Sequence, residues 1–275
     1  MKPAAFDYVR AESLEEALAA LAEHGAEARV IAGGQSLLPM LNMRLARPQV
    51  LVDIMRLGAL RPLRRQDDAV VVPAGVRQAE LLAWPELAAL LPLLAAALPH
   101  LGHYQTRSRG TVCGSAAHAD PSAEIPLCLV ALGGEIHLRS RRRARRVAAG
   151  DFFTGMMATD KGDDEMIEAV SFPVAPPGSG FAFREFSRRH GDFAIVGCAA
   201  RVAADRVELT VCGVADRPER RSWPALSGSA LDDALNAFAW ELEAREDLHA
   251  SARLRRDLVR SLGRAVIAEA SACLV

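Results

Sequence analysis

The sequence predicts an α+β protein: two successive regions, then a linker and a separate α+β unit at the C-terminal end. Three observations predict it. Early in the chain a capped amphipathic helix is followed by strand, glycine turn, helix and strand, the order of a parallel βαβ unit. A Pro- and Gly-rich run over 173–180 separates two bodies of apolar periodicity. Beyond it, alternating segments suited to an antiparallel sheet lead into two long amphipathic helices.

Each element has a local reason. Ser13-Leu14-Glu15-Glu16 has the form of a capping box, with Leu14, Ala17, Leu18 and Leu21 on one face and Gly25 at the C-terminal cap. Residues 29–32 read as a strand, followed by a glycine turn, a helix through Met40, Leu41 and Leu45, and a strand over 50–54; this subregion closes near Arg56. A second subregion begins with a strand over 69–72, then helices over 78–83 and 87–98 separated by Pro85. Residues 102–121 are small and polar with no sustained period, the mark of an irregular functional stretch. Glu135 to Leu138 alternates as a strand does. Arg139 to Arg146 holds six arginines; an exposed hairpin turn is favoured over a polyanion site, because aromatics and net basic charge are both missing. A strand over 165–172 precedes the linker. Segments 181–186, 194–202 and 207–214 then form the expected sheet, and 230–246 and 252–273 the helices.

The 275 residues are 51% hydrophobic, enough for a substantial core, and the net charge of −1 gives no argument for nucleic acid. Cys113, Cys128, Cys198, Cys212 and Cys273 form no C-x-x-C pair and no Cys/His cluster, which argues against iron–sulfur or structural zinc ligation by this chain and suits a reducing compartment. The N-terminal residues lack a signal-peptide apolar core. The most apolar region, 79–98, is interrupted by Glu80, Pro85, Glu86 and Pro92 and does not span a membrane. A cytoplasmic protein is expected.

The chemistry concentrates at Arg29-Val30-Ile31-Ala32-Gly33-Gly34-Gln35-Ser36-Leu37-Leu38-Pro39. Adjacent glycines between strand and helix let backbone approach a ligand, and free N–H groups at a helix start favour an anion. A phosphate-bearing ligand suits this stretch; a plain turn has the same composition.

Together with Arg109-Gly110-Thr111-Val112-Cys113-Gly114-Ser115-Ala116-Ala117-His118-Ala119-Asp120-Pro121-Ser122-Ala123-Glu124, this stretch resembles the FAD-binding (medium) subunit of molybdenum hydroxylases of the carbon monoxide dehydrogenase and xanthine dehydrogenase type. Ser187-Arg188-Arg189-His190-Gly191-Asp192-Phe193-Ala194 and Asp247-Leu248-His249-Ala250-Ser251-Ala252 resemble two further signatures of that family, in the same order along the chain.

The resemblance implies an FAD-binding domain over 1–173, of the PCMH-like fold with subregions about 1–56 and 57–173, and a C-terminal α+β domain over 181–275. It implies that Val30 and Ile31 lead into a pyrophosphate cradle of Ala32, Gly33, Gly34, Gln35, Ser36 and Leu37, and that Thr111, Cys113, Gly114 and Ser115 form the second phosphate-side loop. Asp120 and Glu124 fall where the family places carboxylates near cofactor hydroxyls, although Asp120 before Pro121 also suits a turn. His118 is expected to position its loop. Ile167 is expected beside the flavin or in plain strand core, and Arg184 near the flavin's electron-rich edge or in solvent. The family usually has Gly at the place of Cys113. If φ were positive there a Cβ would cost about 1–2 kcal/mol; the favoured reading is an ordinary backbone, with Gly114 meeting the conformational demand.

The family's arrangement further implies a large partner with the molybdenum cofactor and a small partner with two 2Fe–2S clusters, electrons passing from those clusters to FAD and on to an external acceptor. The alternatives are a stand-alone flavoprotein oxidoreductase and a non-catalytic subunit that has lost FAD.

Overall fold

A computed structural model describes residues 2–274. The first subregion contains β1 (Asp7–Arg10), α1 (Leu14–His24), β2 (Ala28–Ile31), α2 (Leu37–Asn42) and β3 (Val50–Asp53). β1 and β2 flank β3 and both run parallel to it, with Asp7 and Ala28 each registered on Val50. The βαβ pattern is therefore present, with β1 an added strand that its short, mostly exposed sequence did not reveal. α1 starts where Ser13 Oγ accepts the Glu16 N–H at 3.1 Å; the Glu16 carboxylate accepts from the N–H of Glu12 at 2.7 Å, one residue earlier than the standard box. Ala17, Leu18 and Leu21 bury its inner face, and Gly25, at φ 50°, ends it.

The second subregion runs through β4 (Arg64–Gln66), β5 (Ala69–Pro73), α3 (Gln78–Leu82), α4 (Leu87–Leu90), α5 (Pro92–Ala97), α6 (Tyr104–Arg107), α7 (Val112–His118), α8 (Glu124–Leu132), β6 (Glu135–Arg139), β7 (Ala144–Ala148), α9 (Ala149–Phe152), β8 (Phe153–Gly155), β9 (Ala158–Thr159) and β10 (Met166–Pro173). β4, β5, β10, β6 and β7 form an antiparallel sheet in that order. Two expectations change here, and α8 is an element the sequence did not signal. The helix over 87–98 is two, broken at Leu91 before Pro92, because a proline restrains its predecessor. The irregular stretch 102–121 contains α6 and α7, each too short to show a period. The apolar run at 127–132 belongs to α8, of which every residue is buried, so it has no polar face to mark it as a helix.

The six-arginine run is the β6–β7 hairpin. Arg145 and Arg143 reach the buried Glu165 carboxylate at 2.7 and 3.1 Å, and Arg145 also pairs with Asp160.

The remainder is a four-stranded antiparallel sheet, β11 (Ser179–Phe186), β12 (Val196–Ala203), β13 (Arg206–Cys212) and β14 (Glu219–Pro224), with α10 (Gly228–Glu241) and α11 (Ala252–Ala272). Among the described residues there are two apolar cores. β11 serves both through its alternation: Phe181 and Phe183 belong to the first, Ala182 to the second. The Asp247 signature proves structural. Buried Arg255 donates to Asp247 at 2.6 Å and to the Ile195 carbonyl at 2.6 Å, while Asp247 accepts the N–H groups of His249 and Ala250.

Candidate cofactor site

β2 ends at Ile31 and α2 begins at Leu37, so residues 32–36 turn the chain at the C-terminal edge of the parallel sheet, where open α/β sheets bind ligands. Gly34 takes φ 70°, which favours glycine. Gln35 Nε2 donates to the Gly33 carbonyl at 3.2 Å. Among the described residues, the N–H groups of Gly33, Gly34, Gln35, Ser36 and Leu37 donate to no backbone group outside the regular elements. All five positions are half-buried. Consecutive unpaired N–H groups in a turn form an anion cradle.

The second turn lies between α6 and α7. Thr111 caps α7, its Oγ1 accepting the Gly114 N–H at 3.0 Å. The segment is paired to residues 76–78, with Gln78 N–H on the Gly110 carbonyl at 2.9 Å and Val112 N–H on the Val76 carbonyl at 3.2 Å.

The two turns meet. A Cβ on Gly33 would lie 2.1 Å from the Arg109 carbonyl oxygen and 2.7 Å from Gly110 Cα, so only glycine permits the approach. Free backbone donors on the first turn therefore lie beside the second turn, and a side chain at Gly33 would fill the junction between them.

Cys113 sits in α7 with no positive φ, and its thiol points into the core, Sγ 3.4 Å from the Val72 carbonyl. It neither strains the backbone nor crowds the turn; any part it takes in a cradle is through its backbone. Gly114 also lacks a positive φ. It is glycine for another reason: a Cβ would lie 2.7 Å from Thr111 Oγ1.

On the acidic side, Asp120 Oδ1 accepts the Ser122 N–H at 2.8 Å, the turn-shaping role, just after Ala119 in the left-handed conformation at φ 52°. Glu124 is buried in the first turn of α8. Burial, then the nearby Glu185 and Asp120 carboxylates, push its pKa up to about 8, which keeps it protonated at neutral pH and able to donate as well as accept. Glu185 of β11 lies 3.5 Å from His100 Nδ1, and burial pushes it up to about 7.

His118 is half-buried in the last turn of α7, and Val30 lies in β2 opposite Val52. Ile167 is buried in β10 opposite Leu138, in strand core. Arg184 is exposed, the solvent alternative of the two expected for it. It pairs with Glu269 of α11, on the face of β11 opposite to Phe183 and Glu185, because successive strand residues point to opposite sides. Its guanidinium is engaged by a carboxylate of the C-terminal helix. The structure thus brings Gly33 of the first turn against Arg109 and Gly110 of the second and leaves Arg184 apart. Among the described residues, no cluster of His, Cys, Asp or Glu is arranged to hold a metal ion, and no helix is long and apolar enough to cross a membrane.

Comparison with known proteins decides the family. The model for the FAD binding domain in molybdopterin dehydrogenase matches residues 4–175. The chain belongs to this family. It is an FAD-binding medium subunit of the molybdenum hydroxylase type. It is 38% identical to the 6-hydroxypseudooxynicotine dehydrogenase complex subunit alpha of Paenarthrobacter nicotinovorans, over 98% of this chain and 96% of that one. It is 32% identical to the carbon monoxide dehydrogenase medium chain of Hydrogenophaga pseudoflava, over 92% of each. Its structure superposes on carbon monoxide dehydrogenase from the same organism with a TM-score of 0.95 at 30% identity, covering 100% of both chains.

Within this FAD-binding domain, sequence reasoning missed the residues that join the two turns. The candidate set began at Thr111, whereas Arg109 and Gly110 make the contact with Gly33. The available signal was Gly110 itself, a glycine immediately before a helix cap. Gln78 behind it carried no sequence signal.

Proposed function

We propose that this chain holds FAD between its two glycine turns and serves as the electron outlet of a heteromeric molybdenum hydroxylase, taking electrons from 2Fe–2S clusters of a partner and passing them to an external acceptor. The observation that carries this reading is the apposition of Gly33 with Arg109 and Gly110, with unpaired N–H groups on the first turn.

In this reading the N–H groups of residues 33–37 would hold the diphosphate from one side, and the Cys113 N–H with the Thr111 and Ser115 hydroxyls would hold it from the other, since the N–H groups of Val112, Gly114 and Ser115 are already bonded within the chain. Thr111 Oγ1 already accepts from Gly114, so its own proton is free for the ligand. Ser115 adds a second hydroxyl. Glu124, neutral at the first turn of α8, and the second oxygen of Asp120 meet cofactor hydroxyls. His118 holds the α7 end, Val30 and Ile31 anchor the first turn in the sheet, and Ile167 belongs to the strand core of β10. FAD, when bound, takes electrons singly and gives them up in pairs, which suits a junction between clusters and a two-electron acceptor.

The relatives named as complex subunits and medium chains support a large molybdenum-cofactor partner and a small 2Fe–2S partner. Four buried thiols suit a reducing cytoplasm. We assign 1–173 to the cofactor unit and 181–275 to the C-terminal domain, supported by the second core, which lies wholly beyond residue 181, although Phe181, Phe183, Ala194, Ala199 and Cys212 also pack into the first. Purification of the native protein with whatever accompanies it, followed by flavin and metal analysis, tests the reading: FAD, molybdenum and iron together are expected, and a colourless, metal-free homogeneous protein would overturn it.

A further inference from the structure

We infer that Gln78 is a positioning residue that sets the gap between the two glycine turns, and through it the affinity for FAD, without touching the cofactor; this rests on the FAD reading above. Gln78 opens α3 directly behind the second turn. Its backbone N–H donates to the Gly110 carbonyl at 2.9 Å, and its side-chain Nε2 donates to the Thr111 carbonyl at 3.4 Å. The residue is only 5% exposed, and its Oε1 is buried with no hydrogen-bond partner.

That oxygen is held against the turn. A Cβ on Gly110 would lie 2.8 Å from it, while a Cβ on Gly33 would lie 2.7 Å from Gly110 Cα on the other side. Gly110 is therefore a single thickness of backbone between the Gln78 amide and Gly33. A buried amide oxygen without a donor costs free energy, and apolar packing alone would be served better by Leu or Met. What the amide supplies that they cannot is a donor to Thr111, the residue whose side chain caps α7. Gln78 thus fixes both Gly110 and Thr111, the two positions that decide where the second turn's donors sit relative to the first. Donors aimed at a diphosphate must be placed to within about half an ångström, so movement of this support is felt in binding.

The test uses the full-length chain stripped of flavin and titrated with FAD. Gln78→Met keeps the length and loses the donor; FAD binding weakens by about tenfold or more, and the visible circular dichroism of bound flavin changes. Gln78→Glu places a carboxyl behind an anion site; its deficit relative to the unsubstituted protein is larger at pH 8 than at pH 5.5. Leu81→Ala, buried in the same helix, is the stability control and leaves the FAD affinity unchanged. Wild-type affinity and dichroism in both Gln78 variants, or a loss matched by Leu81→Ala, overturns the assignment. Gly33→Ala separates the two levels: if it loses FAD while the Gln78 variants keep it, only the role of Gln78 falls; if it keeps FAD, the cofactor placement itself falls.

Discussion

Gly33 approaches Arg109 so closely that a methyl group on its Cα would stand 2.1 Å from the Arg109 carbonyl oxygen. Two turns far apart in sequence are in backbone contact, and neither can retreat without disturbing its own packing: the first continues into β2, the second is paired to residues 76–78. Gly33→Ala is therefore expected to force the turns apart. The fold survives at a cost of about 1–3 kcal/mol, while FAD affinity falls by about a hundredfold. Fluorescence titration with FAD alongside a thermal melt reads both. Unchanged affinity would refute the joint cradle.

Restoring the family's glycine at position 113 is expected to weaken the protein and leave FAD affinity alone. The Cys113 thiol is fully within the core, on Val72 of β5. Cys113→Gly removes that packing and adds the helix cost of glycine, about 1 kcal/mol from the latter alone. A lower melting temperature with an unchanged FAD dissociation constant is the predicted pair of results; tighter FAD binding would show that the cysteine does encroach on the cofactor.

Glu165 is held far below the usual carboxylate range, at about 2, chiefly by its hydrogen bonds from Arg145. A depressed carboxylate stabilises the fold fully above its unfolded value and loses that contribution as pH falls through the folded one. Glu165→Gln should therefore be clearly less stable than the unsubstituted protein at pH 7, with the difference shrinking as pH falls from 5 to 2. Urea melts across that range check it, and a pH-independent difference would contradict the ion-pair account.

Glu124 acts with the opposite sign. Its carboxyl is raised from 4.5 to about 8, so the folded state binds the proton more tightly, and stability declines as pH rises from 4.5 towards 8. Glu124→Gln should remove that decline. A variant whose stability falls over this range as steeply as before would mean that Glu124 ionises freely.

Much of the fold was legible because period and punctuation agree. The Ser13 cap, the Gly33–Gly34 turn, the β6–β7 hairpin and the alternation of β11 to β13 were all readable from local residues. The elements that escaped lack a local signature. β1 is short and mostly exposed, and α8 is apolar all round because it is buried on every side. At the site, the glycines were visible because their need is conformational or steric and local. The choice between the two readings of Arg184 was not legible, because a motif position says nothing about which face of β11 a side chain takes, and Glu269, its partner, lies 85 residues away. Gln78 was invisible for the same reason: its neighbours are brought to it by tertiary structure.

The most direct test is the crystal structure of the flavin-loaded protein. The account predicts diphosphate oxygens within about 3 Å of backbone N–H groups from residues 33–37 on one side and of the Cys113 N–H or the Thr111 and Ser115 hydroxyls on the other. A diphosphate bound elsewhere, or contacting only one of the two turns, would contradict it.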